Sequence, residues 1–477
     1  MQPEDHRQAN RHEGSVSRRT VLGAGAAAAA GLLLTAGASP GESRGNGLGS
    51  LNRMWDAIVI GAGAAGLGAA RKLSDAGKQV LVIEARDRIG GRMWTDRTSL
   101  SIPHERGGEL VHGHNVSTWD LIRQQNLKTH RWEDKFAKIN TGDSVWNSAK
   151  DFDTFHFPQG APSFPGEIPR PMVGESAETW LARIGIPRSN YPIYFWVIEG
   201  DSEQFDVLPA TRVAGELEFV LEMQQYSGEM PPEEYGDYRV IGGYDQVLRP
   251  LVRGVEIRHS SVVHTIEYRK NRVDVHTNNG SFKSRVVVMA VPGGVLKSGA
   301  IKFDPPLPDA RRTAIDEISY LPVFKGILEF AEPVVPADPT LPRRWDVAAL
   351  FSENPPTLWD ASLGTPGYKG QLIVTWMTGG KAQELLDLTV AERHQAGLET
   401  VRKFAGDPGL KHVGATTYDW SKDRFALGAY PGPFSRRSGL SDPVGGVLFW
   451  AGMTTSTIHS SRDSGTKAAT LALDALR

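Results

Sequence analysis

Gly61, Gly63 and Gly66 have the spacing by which a backbone can close on a diphosphate. Lacking a side chain, Gly61 can turn sharply, Gly63 lets the main chain approach a pyrophosphate, and Gly66 lets a helix lie tightly on a strand. Ala64 and Ala65 keep the same turn small. Glu84 follows as an acceptor suited to ribose hydroxyls, and an acid there favours a free 2′-hydroxyl over a phosphate. Behind it, after Ala85 and Arg86, Gly90-Gly91-Arg92 permits a tight turn that delivers a fixed cation to the same diphosphate. Taken together, these residues point to binding of a dinucleotide.

The elements that must hold them are legible around them. Residues 56–60 are apolar without alternation, as a buried parallel strand is. A helix over about residues 64–76 would aim its N-terminal N–H groups and positive dipole end at phosphate. Gly77 ends it, and residues 79–83 form a second strand with Glu84 at its C-terminal end. The plain alternative is a βαβ unit with no ligand, but glycines, helix, strand and acid in one register argue against it.

Composition narrows the class. At 477 residues, 40% hydrophobic and 23% charged, the chain is an ordinary globular sequence of two or three domains. A net charge of -2 gives no reason to expect nucleic acid or an anionic membrane as partner. There are no cysteines, which removes disulfides, thiolate metal sites, iron–sulfur clusters and any cofactor linked through cysteine sulfur; no metal site is expected. Ser17-Arg18-Arg19-Thr20-Val21-Leu22, a mild apolar run and the small-residue site Ala36-Gly37-Ala38 resemble a twin-arginine export signal over residues 1–38. The run is weakly apolar for a permanent membrane span. Residues 39–54 read as a linker, and the expected location is periplasmic or extracellular.

The stretch from Glu84 to Met93 resembles the amino-terminal signature of the flavin amine oxidase superfamily, which includes monoamine oxidases, polyamine oxidases, L-amino-acid oxidases and histone demethylases. Family-like motifs continue in order: Gly107-Gly108-Glu109-Leu110-Val111-His112, Tyr238 to Gly243, Val262 to Ile266, Ile301 to Pro308, Ser319 to Phe330, Trp420, Gly428-Ala429-Tyr430, Leu448 to Gly452 and His459 to Gly465. The resemblance implies an α/β fold: a Rossmann-like FAD domain of three segments, residues 55–114, 238–302 and 440–477, with an α+β substrate domain inserted as residues 115–237 and 303–439. It also implies that Gly107, Gly108, Glu109 and Leu110 pass beside the isoalloxazine ring, and that the Val263 backbone meets adenine. Gly452 and Met453 adjoin the ribityl chain, where Met453-Thr454 replaces the usual acid. Ile458 opens a helix directed at the reduced ring. Ala429 occupies the family's cysteine attachment position, so FAD should be held non-covalently.

On the same resemblance Lys325 holds a water near flavin N5, Tyr430 forms one wall of an aromatic cage, Trp420 packs by the flavin and His112 faces the substrate. The second cage aromatic is missing from the matching stretch Thr457-Ile458-His459, so the cage is at most half present. The expected chemistry is oxidation of a small primary or secondary amine to an imine by hydride transfer to N5, with hydrolysis to a carbonyl. O2 then takes the electrons to give H2O2, or a protein electron acceptor takes them. Leu110 stands where L-amino-acid oxidases of this group carry a carboxylate-binding arginine; Arg462 is the candidate for a relocated clamp. A flavin-bearing binding protein is the reading from another class, and a homodimer stays open.

Overall fold

In the computed structural model the described residues are 53–131, 136–138, 169–185, 206, 209–211, 213–214, 237–334, 349–351, 357–431 and 439–477. Leu48–Arg477 form one compact unit. The expected export signal, nearly all of the expected linker and most of residues 115–237 lie outside the described residues.

Strand β1 (Met54–Ile60) runs into helix α1 (Ala64–Asp75), which returns to β2 (Val80–Ile83) parallel to β1. Alternate residues of β1 go to opposite sides. Ala57 and Val59 join a core with α1 and the last helix, Ile458–Ala475, while Ile58 and Ile60 join a second core with Val287 and Met289. A strand covered on both faces needs the continuous apolar run that the sequence has. It lies inside an eight-stranded mixed sheet. From one edge the order is Lys302–Asp304, Val263–Arg269, Arg272–Thr277, Gly280–Met289, β1, β2 and Glu256–Arg258, with Leu448–Trp450 also paired to Gly280–Met289. Segments distant in sequence thus complete one sheet. The last helix lies against α1, and a methyl group on Gly465 would sit 1.9 Å from the Ala65 carbonyl oxygen, so only glycine permits this approach.

A second sheet of six strands is built around Val323–Phe330, every residue of which is buried. It pairs antiparallel with Gln371–Thr378 on one side and Gly414–Thr417 on the other. Period-two geometry sends Leu328 and Phe330 into a core with helix Val390–Ala405, and turns Lys325 and Ile327 to the other face. That helix starts with a Thr389–Glu392 capping box and stops at Gly406 in the left-handed region. A three-stranded sheet joins Leu110–His112 to Asp237–Val240 and Thr129–Arg131. The fold is mixed α/β, as the resemblance implied. Among the described residues no helix is long and apolar enough to cross a membrane.

Candidate active site

A cavity of about 390 Å³ opens over the C-terminal ends of β1 and β2. Gly61, Gly63, Ala64 and Ala65 form its floor, Glu84, Ala85 and Arg86 one side, and Gly91 and Arg92 another. Val263 lies towards one end, while Gly452, Met453 and Ile458 contribute from the C-terminal segment.

The three glycines of the first turn do different work. Gly61 has a φ of +102°, and a methyl group there would lie 2.6 Å from the Ala290 carbonyl oxygen. A methyl group on Gly66, which is not in the cavity wall, would meet the Gly61 carbonyl oxygen at 1.8 Å, so this residue serves helix packing. Gly63 has an extended backbone, and the nearest atom to a methyl group there is Gly91 Cα at 3.8 Å. The protein itself leaves room for a methyl group at Gly63.

Glu84 is buried at the end of β2, and its carboxylate accepts from the N–H groups of Ala62 (2.6 Å) and Arg86 (2.8 Å). These bonds set the acid against the glycine turn and leave lone pairs for hydroxyl donors. Arg86 lines the cavity but gives its fork to Asp423, with two bonds of 2.8 Å. Arg92 also lines the cavity and, among the described residues, pairs with no carboxylate. Its three hydrogen bonds go to neutral oxygens, at 2.9 Å to Ser461 Oγ, 3.3 Å to Thr455 Oγ1 and 3.5 Å to the Ser456 carbonyl. Burial holds its pKa below the usual guanidinium value. A guanidinium with only neutral partners, a glycine open to the cavity and the first turn of α1 fit a diphosphate well.

Arg88 has a role that sequence reading missed. Both of its terminal nitrogens donate to the Gly91 carbonyl at 3.2 Å, and its guanidinium lies 4.3 Å over the Trp94 ring. It thereby holds the Gly90–Gly91 turn, both members of which have positive φ. Burial, and then the neighbouring Arg86 charge, bring its pKa down to about 10.

Gly107 and Gly108 lie behind the cavity wall and connect it to the second sheet. A methyl group on Gly107 would be 2.0 Å from the Arg92 carbonyl oxygen and 3.1 Å from the Trp420 ring, and one on Gly108 would be 3.5 Å from Ile458 Cδ1. Lys325 approaches from the other side: its Nζ donates to the Gly107 carbonyl (3.1 Å) and to Glu109 Oε2 (2.8 Å). Both charged side chains are buried, and Lys325 lies 5.6 Å over the Trp359 ring. Leu110 starts the adjoining strand opposite Arg239, whose Nη2 donates to the Leu363 carbonyl and Thr365 Oγ1. Arg462, the candidate carboxylate clamp, gives its Nη1 to the Ser117 carbonyl.

Trp420 is buried and donates to the Arg106 carbonyl at 2.9 Å, so it braces the Gly107 turn from outside the cavity. Tyr430 pairs with Leu321 in a short two-stranded ribbon. Its ring centroid lies 6.2 Å from that of Trp376, which stands directly across the sheet from Lys325 and 6.4 Å from Trp359. A second ring therefore stands beside Tyr430, supplied by the six-stranded sheet and not by the Thr457 stretch where it was sought. Sequence alone had no signal for Trp376 beyond its alternation within an apolar strand. His112 is exposed, with Nδ1 2.8 Å from Asp237 Oδ1. His459 has its pKa lowered by burial and then by His112, so the two imidazoles share one neighbourhood. Ile458 begins the last helix as expected, with Thr457 as its cap. Among the described residues no group of three or more His, Asp or Glu could hold a metal ion.

The chain matches known proteins in family and in fold. A family model described as flavin containing amine oxidoreductase covers residues 64–473. Lysine-specific histone demethylase 2 of Homo sapiens is 27% identical over 430 residues, which are 83% of this chain and 50% of that protein. The chain thus spans about half the length of that relative. Pseudooxynicotine dehydrogenase of a Pseudomonas species is 25% identical over 477 residues, covering 92% of this chain and 90% of the relative. Among solved structures, putrescine oxidase bound to putrescine superposes with a TM-score of 0.70 at 22% identity, covering 88% of this chain and 98% of the other. Cyclohexylamine oxidase from Brevibacterium oxydans superposes with a TM-score of 0.69 at 20% identity, covering 89% and 100%. At such identities the structural likeness is one of fold. The family model spans most of the chain and includes α1, Arg92, Lys325 and most of the last helix: the chain belongs to the flavin containing amine oxidoreductases.

Proposed function

We propose that this chain binds FAD non-covalently and oxidises a small primary or secondary amine to an imine, which water hydrolyses to a carbonyl compound. The observation that carries the reading is the position of Lys325. It is buried in the second sheet, yet bonded to the Gly107 turn that backs the dinucleotide cavity, with Trp376 across the sheet and Tyr430 beside that ring. Bound FAD would supply the hydride acceptor. Gly63, Arg92 and the start of α1 would hold its diphosphate, Glu84 its ribose, and Val263 its adenine end. Lys325 would hold a water at the reacting end, and the two rings would orient a neutral amine, since positioning supplies much of the rate in such reactions.

In this reading residues 55–114, 238–302 and 440–477 bind the cofactor, and residues 115–237 and 303–439 shape the substrate side. Two electron acceptors suit the product: O2, giving hydrogen peroxide, and a protein that takes electrons singly. An acceptor other than O2 has the support of a relative named a dehydrogenase, which spans nearly the whole chain. An L-amino-acid substrate is the weaker alternative, because Leu110 is apolar and Arg462 bonds to Ser117. We propose export by the twin-arginine route on the strength of Ser17 to Leu22, to be tested by cell fractionation of an Arg18→Lys, Arg19→Lys variant.

The deciding experiment is anaerobic mixing of the flavin-loaded protein with monoamines, diamines, cyclic amines and amino acids, following loss of the flavin absorbance. Bleaching by amines is expected. Bleaching by amino acids alone would remove the amine reading, and bleaching by none would favour a non-catalytic flavoprotein.

A further inference from the structure

The Lys325 ammonium does not stand alone. Glu109 follows Gly107-Gly108 directly, and its Oε2 accepts from Lys325 Nζ at 2.8 Å, with the two side chains 4% and 8% exposed. A second Lys325 proton goes to the Gly107 carbonyl. Glu105 and Arg239 also feel the Glu109 charge, and neither makes an ion pair with it among the described residues. Glu105 accepts instead from the Tyr244 N–H and Thr95 Oγ1, and Arg239 donates to Leu363 and Thr365.

We infer that Glu109 cancels the positive charge of Lys325 beside the flavin, and so makes O2 a poorer electron acceptor for this chain than a one-electron redox partner. The inference rests on the placement of Lys325 near the flavin proposed above.

Reduced anionic flavin returns to its oxidised state by losing two electrons and one proton. With O2 as acceptor, O2 would take both electrons, that proton and one more from solvent, giving hydrogen peroxide. With a one-electron acceptor, two acceptor molecules are each reduced once and the flavin proton goes to solvent. The O2 route passes first through superoxide, a new anion formed next to the ring. A lone buried ammonium would stabilise that anion strongly, because screening inside the protein is weak. A carboxylate at hydrogen-bond distance from the same ammonium offsets most of the field. A bulky external acceptor takes its electron at the protein surface and does not depend on that charge.

The test compares reoxidation of the pre-reduced, flavin-loaded protein by O2 and by ferricenium in stopped flow, together with the flavin midpoint potential measured against a redox dye. In the parent chain, reoxidation by ferricenium should be at least about tenfold faster than by O2 at equal concentration. Glu109→Gln should raise the O2 rate by about tenfold or more and shift the midpoint potential upward, so that the ratio of the ferricenium rate to the O2 rate falls by about tenfold or more. Glu109→Asp, which keeps the charge, should behave as the parent does. A parent chain reoxidised by O2 as fast as by ferricenium overturns the inference without any variant. So does a Glu109→Gln protein with unchanged potential and O2 rate while Lys325→Met lowers both, a result that leaves the site assignment standing. If Lys325→Met also changes neither quantity, the site assignment fails and the inference fails with it.

Discussion

Gly63→Ala should leave the fold intact and damage flavin binding, which separates a cofactor cradle from a merely structural turn. In the structure Gly63 has φ -78° and ψ -179°, a conformation alanine adopts freely, and a new methyl group would come no closer than 3.8 Å to Gly91 Cα. Losing glycine as the helix cap costs about 1 kcal/mol or less, while the stiffer unfolded chain returns roughly 0.4–1 kcal/mol. The flavin-free protein should therefore unfold within about 1 kcal/mol of the parent. Gly63 lines the space assigned to the diphosphate. Displacing a phosphate oxygen from one N–H of α1 forfeits a charge-assisted bond worth roughly 1.5–3 kcal/mol, so FAD affinity should fall by more than about tenfold. Gly66→Ala is the control: its methyl group would sit 1.8 Å from the Gly61 carbonyl oxygen, and overpacking of this kind costs at least about 1–3 kcal/mol. Fluorescence titration of the flavin-free protein with FAD, paired with thermal melting of both variants, supplies the two quantities. A Gly63→Ala protein that binds FAD as tightly as the parent would refute the reasoning, because the cavity would then have space to spare where the diphosphate should lie.

Arg92→Lys keeps a charge but loses the planar fork, so FAD binding should weaken by roughly tenfold with little change in melting temperature; equilibrium titration checks it. Trp376→Leu should raise KM for amines by about threefold to tenfold at nearly constant kcat, as loss of an aromatic contact would, and a fall in kcat alone would contradict the assignment. Glu105 has its pKa pushed up from 4.5 to about 7, chiefly by burial. The folded chain then keeps a proton that the unfolded chain loses, so stability falls as pH rises from about 4.5 to about 7 and levels off above, by roughly 3 kcal/mol in all. Glu105→Gln should flatten that decline in denaturant melts across the same range, and an unchanged slope would show that Glu105 is not its source.

Much of the cofactor half of the molecule was legible in the sequence because its information is local. Ile58 to Gly66, the helix after them, and Glu84 at the end of β2 belong to one contiguous βαβ unit whose glycine spacing reflects backbone sterics alone. The inward direction of Lys325 was also readable, since apolar residues surround it on a strand with period two. Partnership was not readable. Glu109 lies 216 residues from Lys325, and Asp423 lies 337 residues from Arg86. Which carboxylate meets which cation depends on how the Gly107 turn and the later loops pack against the two sheets. Trp376 stands across from Lys325 only through the register of two antiparallel strands, and a shift by one residue would turn it to the opposite face. The glycine turn could be read from the sequence because it follows from steric rules within a short stretch of chain, and the family could be read from its resemblance to motifs that recur in order from Glu84 to Gly465. Tertiary structure alone decided that Arg86 is spent on Asp423 while Arg92 faces the cavity with neutral partners, that a second ring stands beside Tyr430, and that Lys325 shares its charge with Glu109. The physical reason is the same in each case: these contacts join segments whose meeting is set by sheet pairing and core packing, and no spacing along the chain encodes it.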